Sequence, residues 1–304
     1  MESAADYRLT AGPEQARRIV QRTRGKTSGP ITRLVSPPDI GQLIKPFVLL
    51  DYAELASSLH GVPLHPHSGI ATLTTLLQGS LHLQDGKGLP KTIDAGGIEW
   101  MQAGRGVWHG GPVDSTGSIK LFQLWVALPP ALELGDPSEI SLRPEDIPAD
   151  GPARVLLGSL NGRESRFGSA LDMTYLHVRL SAGERWRYTP PSGHDVLWIY
   201  VYSGSLDAGE PVSEGDLIVF DQSGHGVDFI ARENCGFMLG SAVHSPFDLV
   251  EGYYSVHTSA AALQSGEQEI ARLGGQMCAD GRLTPERAAQ VARQMSAVVP
   301  SVTS

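Results

Sequence analysis

Along the middle of the chain, apolar positions come in short runs broken by Gly, Pro and acids. They do not fall at helical spacing. "ATLTTLL" (71–77), "SLHLQD" (80–85), "GIEWMQA" (97–103) and "IKLFQLWVAL" (119–128) are rich in β-branched and aromatic residues and bounded by turn formers, which predicts strands. A Pro- and acid-rich stretch, "PPALELGDPSEISLRPEDIPADG" (129–151), then predicts a linker. Strands resume with "ARVLLG", "MTYLHVRL", "VLWIYVYSG", "DLIVFD" and "GFMLGSA". The period changes only near the C-terminus. There 258–275 and 284–299 carry helix formers at helical spacing, and Thr284-Pro285-Glu286 supplies a side-chain cap, a Pro at N1 and an acid in the first turn.

The two strand series resemble each other. Gly79-Ser80-Leu81 follows an apolar strand in the first, and Gly204-Ser205-Leu206 follows one in the second, an offset of 125. Further on, "DAGGIEWMQAGRGVWH" (94–109) matches "SEGDLIVFDQSGHGVDF" (213–229), with Gly104, Gly106 and Val107 against Gly224, Gly226 and Val227, an offset of 120. Two β-barrel units from a duplicated sequence are the simplest account. Under the first offset His65 and His67 fall on Pro190 and Ser192; under the second His109 falls on Phe229. A site built from these three histidines is therefore expected in the first unit alone.

Composition narrows the class. The 304 residues include 35 Gly and 21 Pro, a turn-rich mixture that favours β structure over helix bundles. A formal net charge of −9 argues against direct nucleic-acid binding and against an anionic membrane surface. The basic stretch "RRIVQRTRGK" (17–26) is expected to be a solvated edge strand. Cys235 and Cys278 form no CxxC motif, the N-terminus lacks the pattern of a signal peptide, and no apolar run approaches the roughly 18 residues of a membrane span. These features predict a cytoplasmic protein. Phosphate-binding and nucleophile-elbow motifs are missing from the sequence.

His65 and His67, in "LHPHSG", would share one face of a strand, their imidazoles close enough to hold one ion. His109 follows "AGRGVW", a Gly-rich turn that would bring a strand back across the barrel. The alternative reading is polar punctuation at a strand edge. Gln123 could point into the barrel, or be a buried amide satisfied by backbone; Trp108 and Trp125 could line an aromatic substrate pocket, or pack in the core. His60 and His82 are expected at the surface or an edge, Glu99 is expected to face solvent, and His194 and His225 could mark a vestigial pocket in the second unit. No residue is assigned a catalytic role.

"HPHSGIATLTTLLQGSLHLQD", "GGIEWMQAGRGVWHGGP" and "LFQLWVALP", preceded by "IKPFVLLDYAEL" (44–55), resemble the N-terminal half of the pirin family. "SPFDLVEGYYSVHT" and "GEQEIARLGG" are similar to its end, and 276–304 stand outside it as an extension. The resemblance implies an all-β bicupin: two jelly-roll β-barrels packed together, followed by short C-terminal helices. The expected division is an N-terminal cupin at 1–135 with the metal site, a C-terminal cupin at 152–257 without ligands, and a helical segment at 258–304.

In that family the ligands are the two histidines of H-P-H, the histidine after the A-G-R-G turn, and a glutamate two residues later. His65, His67 and His109 match the first three; Gly111 stands at the fourth place. The resemblance thus implies one divalent transition metal on three neutral imidazoles. Iron is the first expectation, with nickel, copper, manganese or zinc as alternatives. It also implies a reaction like that of a quercetin 2,3-dioxygenase, on O₂ and a small aromatic or enediol substrate, weakened by the missing carboxylate. The alternative is a regulatory homologue that binds a protein partner and has a degenerate or empty site. A monomer is expected, since each barrel supplies the other's interface.

Overall fold

The computed structural model describes residues 17–56, 61–84, 90–111, 114–167 and 171–297. The first series of strands comprises β1 (Ile19–Thr23), β2 (Lys26–Ser28), β3 (Ile31–Val35), β4 (Phe47–Leu55), β5 (Val62–His67) and β6 (Ile70–Gln84). It continues with β7 (Pro90–Asp94), β8 (Ile98–Gln102), β9 (Val107–Gly111), β10 (Asp114–Ala127) and β11 (Ser138–Leu142). A short helix, α1 (Ile40–Ile44), precedes β4, and two longer ones, α2 (Ala260–Ala279) and α3 (Pro285–Ser296), end the described chain.

Each half has one large antiparallel sheet and one small one. The first large sheet runs β11-β8-β6-β10-β4-β3-β2, with β7 also on β6, and β5 pairs with β9 in a separate two-stranded sheet. The second runs from β1 through Leu217–Phe220, Val196–Ser203, Cys235–Ala242, Met173–Leu180 and Ala153–Leu157 to Ala149–Asp150. Its small sheet pairs Arg185–Tyr188 with Val227–Ala231. This is the all-β bicupin expected from the sequence.

Alternation along the strands assigns the faces. Ala71 and Leu73 of β6, Phe122, Leu124 and Val126 of β10, and Ile98 and Trp100 of β8 turn toward the second half, where they join Tyr175, Trp198, Tyr200, Leu217 and Met238 in one shared core. Phe47 meets Trp198 edge-on at 5.5 Å and Phe122 meets Tyr200 at 5.6 Å, contacts that contribute beyond their buried area. The first large sheet is thereby covered on both faces: by the second barrel on one, by its own small sheet on the other.

Several sequence expectations change. The runs 71–77 and 80–84 are one strand, β6, which passes through Gly79 at φ +84°; residue 85 of the second run lies outside the described residues. The stretch expected as a linker contains β11, paired with β8 from Ser138↔Gln102 to Leu142↔Ile98. The basic stretch is an edge strand, but of the other half: β1 pairs with Leu217–Phe220. Arg17 in it is buried, with Nε donating to His225 O at 2.7 Å and Nη1 to Asp195 O at 2.9 Å. Backbone carbonyls rather than water satisfy it. Strand pairing therefore crosses the divisions read from the sequence at both ends of the first unit. No described helix is long and apolar enough to cross a membrane.

Candidate metal centre

The register of the small sheet builds the histidine cluster. β5 and β9 pair His65 with His109, Pro66 with Trp108 and His67 with Val107. Directly opposed residues share a face, so His65, His67 and His109 point together and Pro66 and Trp108 point away. Ring centres lie 4.3 Å apart for His65–His109 and 5.0 Å for both His65–His67 and His67–His109. One ligand atom from each falls within 4.8 Å of the others, the only group of three or more such side chains found among the described residues.

The donor pattern selects one nitrogen on two of the rings. His65 Nδ1 lies 2.8 Å from Pro63 O and His67 Nδ1 lies 2.9 Å from Tyr254 O. A carbonyl only accepts, so each Nδ1 carries the proton and each Nε2 keeps a free lone pair. Burial, reinforced for His67 by His65, holds His67 down to about 3, and burial also lowers His65 and takes His109 well below the ordinary range. All three rings are therefore neutral at pH 7, the form that ligates. His109 Nε2 is buried with no hydrogen-bond partner. A buried ring nitrogen without a partner costs about 1–3 kcal/mol, and a cation bound to its lone pair would remove that cost. The three side chains fit a divalent metal with imidazole ligands.

The barrel beneath the histidines is polar in a band. Trp125 packs its ring edge-on against His67 at 4.7 Å. One rung deeper, Glu99, Thr74 and Gln123 stand in line across β8, β6 and β10. Gln123 Oε1 accepts from Thr74 Oγ1 at 2.8 Å, so a side chain, not backbone, satisfies it. Glu99 pairs with Lys91, which also pairs with Glu139. Glu99 thus lies inside the barrel rather than in solvent, and burial raises its carboxyl in spite of Lys91. Below this band the barrel closes with Leu76, Leu81, Ile93 and Ile119.

Trp108 is not brought to the histidines. Its indole N–H donates to Ile270 O of α2 at 2.9 Å, and its ring lies on Gly274. His82 is exposed and its Nδ1 lies 3.2 Å from Thr92 Oγ1; His60 lies outside the described residues. His194 is buried with Nδ1 2.8 Å from Ser241 Oγ, and the carbonyls of His194 and His225 both accept from Arg17.

Gly111 occupies an unusual backbone position. Its φ is +116°, and a Cβ built there would meet nothing within 4 Å. At Gly110, φ +105°, a Cβ would come within 2.8 Å of Val62 O and 2.9 Å of Pro63 O. The "HGG" turn therefore needs glycine for its backbone.

The segment after the second barrel completes the site, which the sequence did not reveal. Ser68, next to His67, bonds Ser255 Oγ at 2.8 Å and His257 Nε2 at 3.0 Å. His257 Nδ1 meets Glu133 Oε2 at 3.1 Å, and Glu133 also accepts from Thr258 N and Oγ1. All of Ser68, Ser255, His257 and Glu133 are buried. At Gly69, φ +75°, a Cβ would sit 2.1 Å from Val256 O, so only glycine lets this strap close on the ligand strand. The serine, imidazole and carboxylate follow the order of a hydrolytic relay, but sealed from solvent they act as a clamp.

Comparison with known proteins agrees with this geometry. The Pirin family pattern matches residues 30–126. A Vibrio cholerae protein provisionally named a quercetin 2,3-dioxygenase is 31% identical over 218 residues, covering 66% of this chain and 77% of that one. A Caulobacter vibrioides protein named pirin-like is 32% identical over 188 residues, 58% of this chain and 67% of that one. The crystal structure of a quercetin 2,3-dioxygenase from Acinetobacter baumannii superposes with a TM-score of 0.76 at 22% identity, over 85% of this chain and 98% of that one, and supports the fold.

Proposed function

This chain belongs to the pirin family, and from that premise we propose that its first barrel holds one divalent transition metal on His65, His67 and His109 and acts as a quercetin 2,3-dioxygenase-like oxidoreductase on a small enediol or catechol-type molecule. The observation that carries this reading is the orphaned, buried Nε2 of His109 beside two imidazoles whose Nδ1 atoms are already committed to carbonyls. When bound, such a metal would polarise a substrate hydroxyl and bring it next to dioxygen.

The residues around it have separate tasks. Pro63 O and Tyr254 O fix the tautomers of His65 and His67. Trp125 forms a wall beside His67 that excludes water. Gln123, its oxygen held by Thr74, keeps its amide N–H groups as donors. The resemblance read from the sequence implies a carboxylate where Gly111 stands. Without it this chain has no base at that point, and a substrate that enters already ionised suits it better than a flavonol. Turnover of quercetin at a rate equal to that of a glutamate-containing homologue would contradict this.

The test is elemental analysis of the protein purified without a His-tag, next to the His65→Ala/His67→Ala double variant. Near one equivalent of a transition metal, lost in the variant, is expected, followed by metal-dependent oxygen uptake with an enediol. No metal in either sample after reconstitution would overturn the reading.

A further inference from the structure

Helix α3 belongs to the extension that the sequence left without chemistry, yet it reaches the histidines. Arg287, half-buried in its first turn, donates from Nε to Leu64 O at 2.7 Å, the carbonyl just before His65. Its Nη1 donates to Gln290 Oε1 at 2.9 Å, and it lies within hydrogen-bond reach of Tyr254. Tyr254 in turn donates to Gln294 Oε1 of the same helix at 2.7 Å. The Tyr254 ring centre is 6.2 Å from both His65 and His67. His65 is the half-buried histidine on this side, and His67 lies buried behind it. Arg287 and Tyr254 therefore stand at the entrance.

Charge makes this arrangement informative. No carboxylate among the described residues forms an ion pair with Arg287; its hydrogen bonds go to a carbonyl and an amide oxygen, beside the Tyr254 phenol. The neighbouring side chains of His65 and His67 are imidazoles, which supply no negative charge. Guanidinium hydrogens remain beyond those that the named bonds use, in a planar fork that suits carboxylate. A half-buried cation with no anionic partner gains most from an incoming anion.

We propose that Arg287, positioned by Tyr254 and Leu64 O, is an anion-recognition group at the mouth of the first barrel, and that the ligand of this site is a hydroxy acid: a carboxylate adjoining the enol or catechol oxygens that reach the histidines. This rests on the metal reading above and narrows its substrate class. The carboxylate takes the guanidinium, the ring or enol plane lies along Trp125, and the hydroxyls face His65, His67 and His109. A carboxylate supplied by the ligand then stands in for the one missing at Gly111.

The test compares two probes that differ by that one group, 2,3-dihydroxybenzoate and catechol. Calorimetry on the full chain loaded with zinc, which supports no redox turnover, gives both affinities. The wild type is expected to favour the acid by about tenfold or more, the scale of one charge-assisted hydrogen bond. Arg287→Gln, which keeps a donor for Leu64 O, should bring the ratio near one at unchanged zinc content and melting temperature; Arg287→Lys should keep part of it. No preference in the wild type, or the same preference in Arg287→Gln, overturns the proposal. If Arg287→Gln loosens α3 and lowers the melting temperature, the wild-type ratio and Arg287→Lys decide alone. Failure to bind zinc would count against the metal reading only. The same pair of probes on the metal-free protein then decides for Arg287 if the preference is present and against it if absent.

Discussion

The same rung of the same small sheet carries opposite chemistry in the two barrels. In the first, His65 lies opposite His109 and His67 opposite Val107. In the second, Trp186 lies opposite Phe229 and Tyr188 opposite Val227. The structural counterparts of the three histidines are thus Trp186, Tyr188 and Phe229. Those aromatics close the interior: Trp186 stacks on Phe229 at 5.8 Å, Phe229 meets Phe237 at 5.1 Å, and the surrounding cluster is apolar throughout. On this rung the first barrel instead leaves a buried nitrogen, His109 Nε2, without a partner. What occupies this rung therefore decides whether the interior beside it is apolar or polar. One copy uses it for stability, and the other carries unsatisfied polarity that a ligand can use.

The comparison can be broken most sharply at Phe229 and His109. Phe229→Ala should cost about 3–5 kcal/mol, the range for a buried aromatic truncated to a cavity. His109→Ala should change the metal-free stability by less than about 1 kcal/mol, because it removes an orphaned ring nitrogen together with some packing. Urea unfolding of both metal-free variants measures this; equal losses would mean that the first barrel is packed as a core.

Acid should separate the barrels next. His67 titrates near 3 in the fold and near 6.5 when unfolded. The unfolded chain therefore binds more protons between those values, so metal-free stability is intact above about 6.5 and falls as pH drops toward 3, by up to about 1.4 kcal/mol per pH unit. His67→Ala should flatten that slope in urea titrations run at successive pH values. Tyr188, its counterpart, is pushed up to about 12 by burial, so Tyr188→Phe should leave the slope unchanged.

Gly111 and Ala231 end the paired strands of the two small sheets, and they sharpen the contrast further. Only Gly111 has positive φ. Gly111→Ala should cost about 1–3 kcal/mol and Ala231→Gly about 0.5–1 kcal/mol. Gly111→Glu should fail to raise metal affinity, read by competition with a chelator, because its backbone cannot take an L side chain without strain. Gln123→Leu, which strands the Thr74 hydroxyl, should cost about 1 kcal/mol with metal content unchanged.

The strand pattern made the barrels and the ligating face legible, since alternation alone puts His65 and His67 together. The duplication predicted that the second copy would lack them and matched His109 to Phe229, but it misplaced the counterparts of His65 and His67. The loops before the strand differ in length, so the offset of 125 led to Pro190 and Ser192 where the register gives Trp186 and Tyr188. Parity failed for Glu99 because both faces of its sheet are covered, and the side opposite Trp100 is the barrel interior, not water. Trp108, which could line a pocket or pack, packs: the outward face of β9 is covered by α2. Tyr254, His257 and Arg287 carried no signal. Their roles come from tertiary contacts that no local period encodes.

The clamp on the ligand strand also sets an order in time. His67 is bonded to a carbonyl 187 residues later in the chain, and the Leu64 carbonyl is held by a side chain 223 residues away. During synthesis the ribosome delivers all three histidines long before it delivers Tyr254, Glu133's partner His257, or Arg287. A nascent first barrel therefore has its imidazoles before it has the groups that orient them, and that orientation waits for translation to pass the second barrel. A chain truncated before the last segment should leave the three histidines equally without those partners.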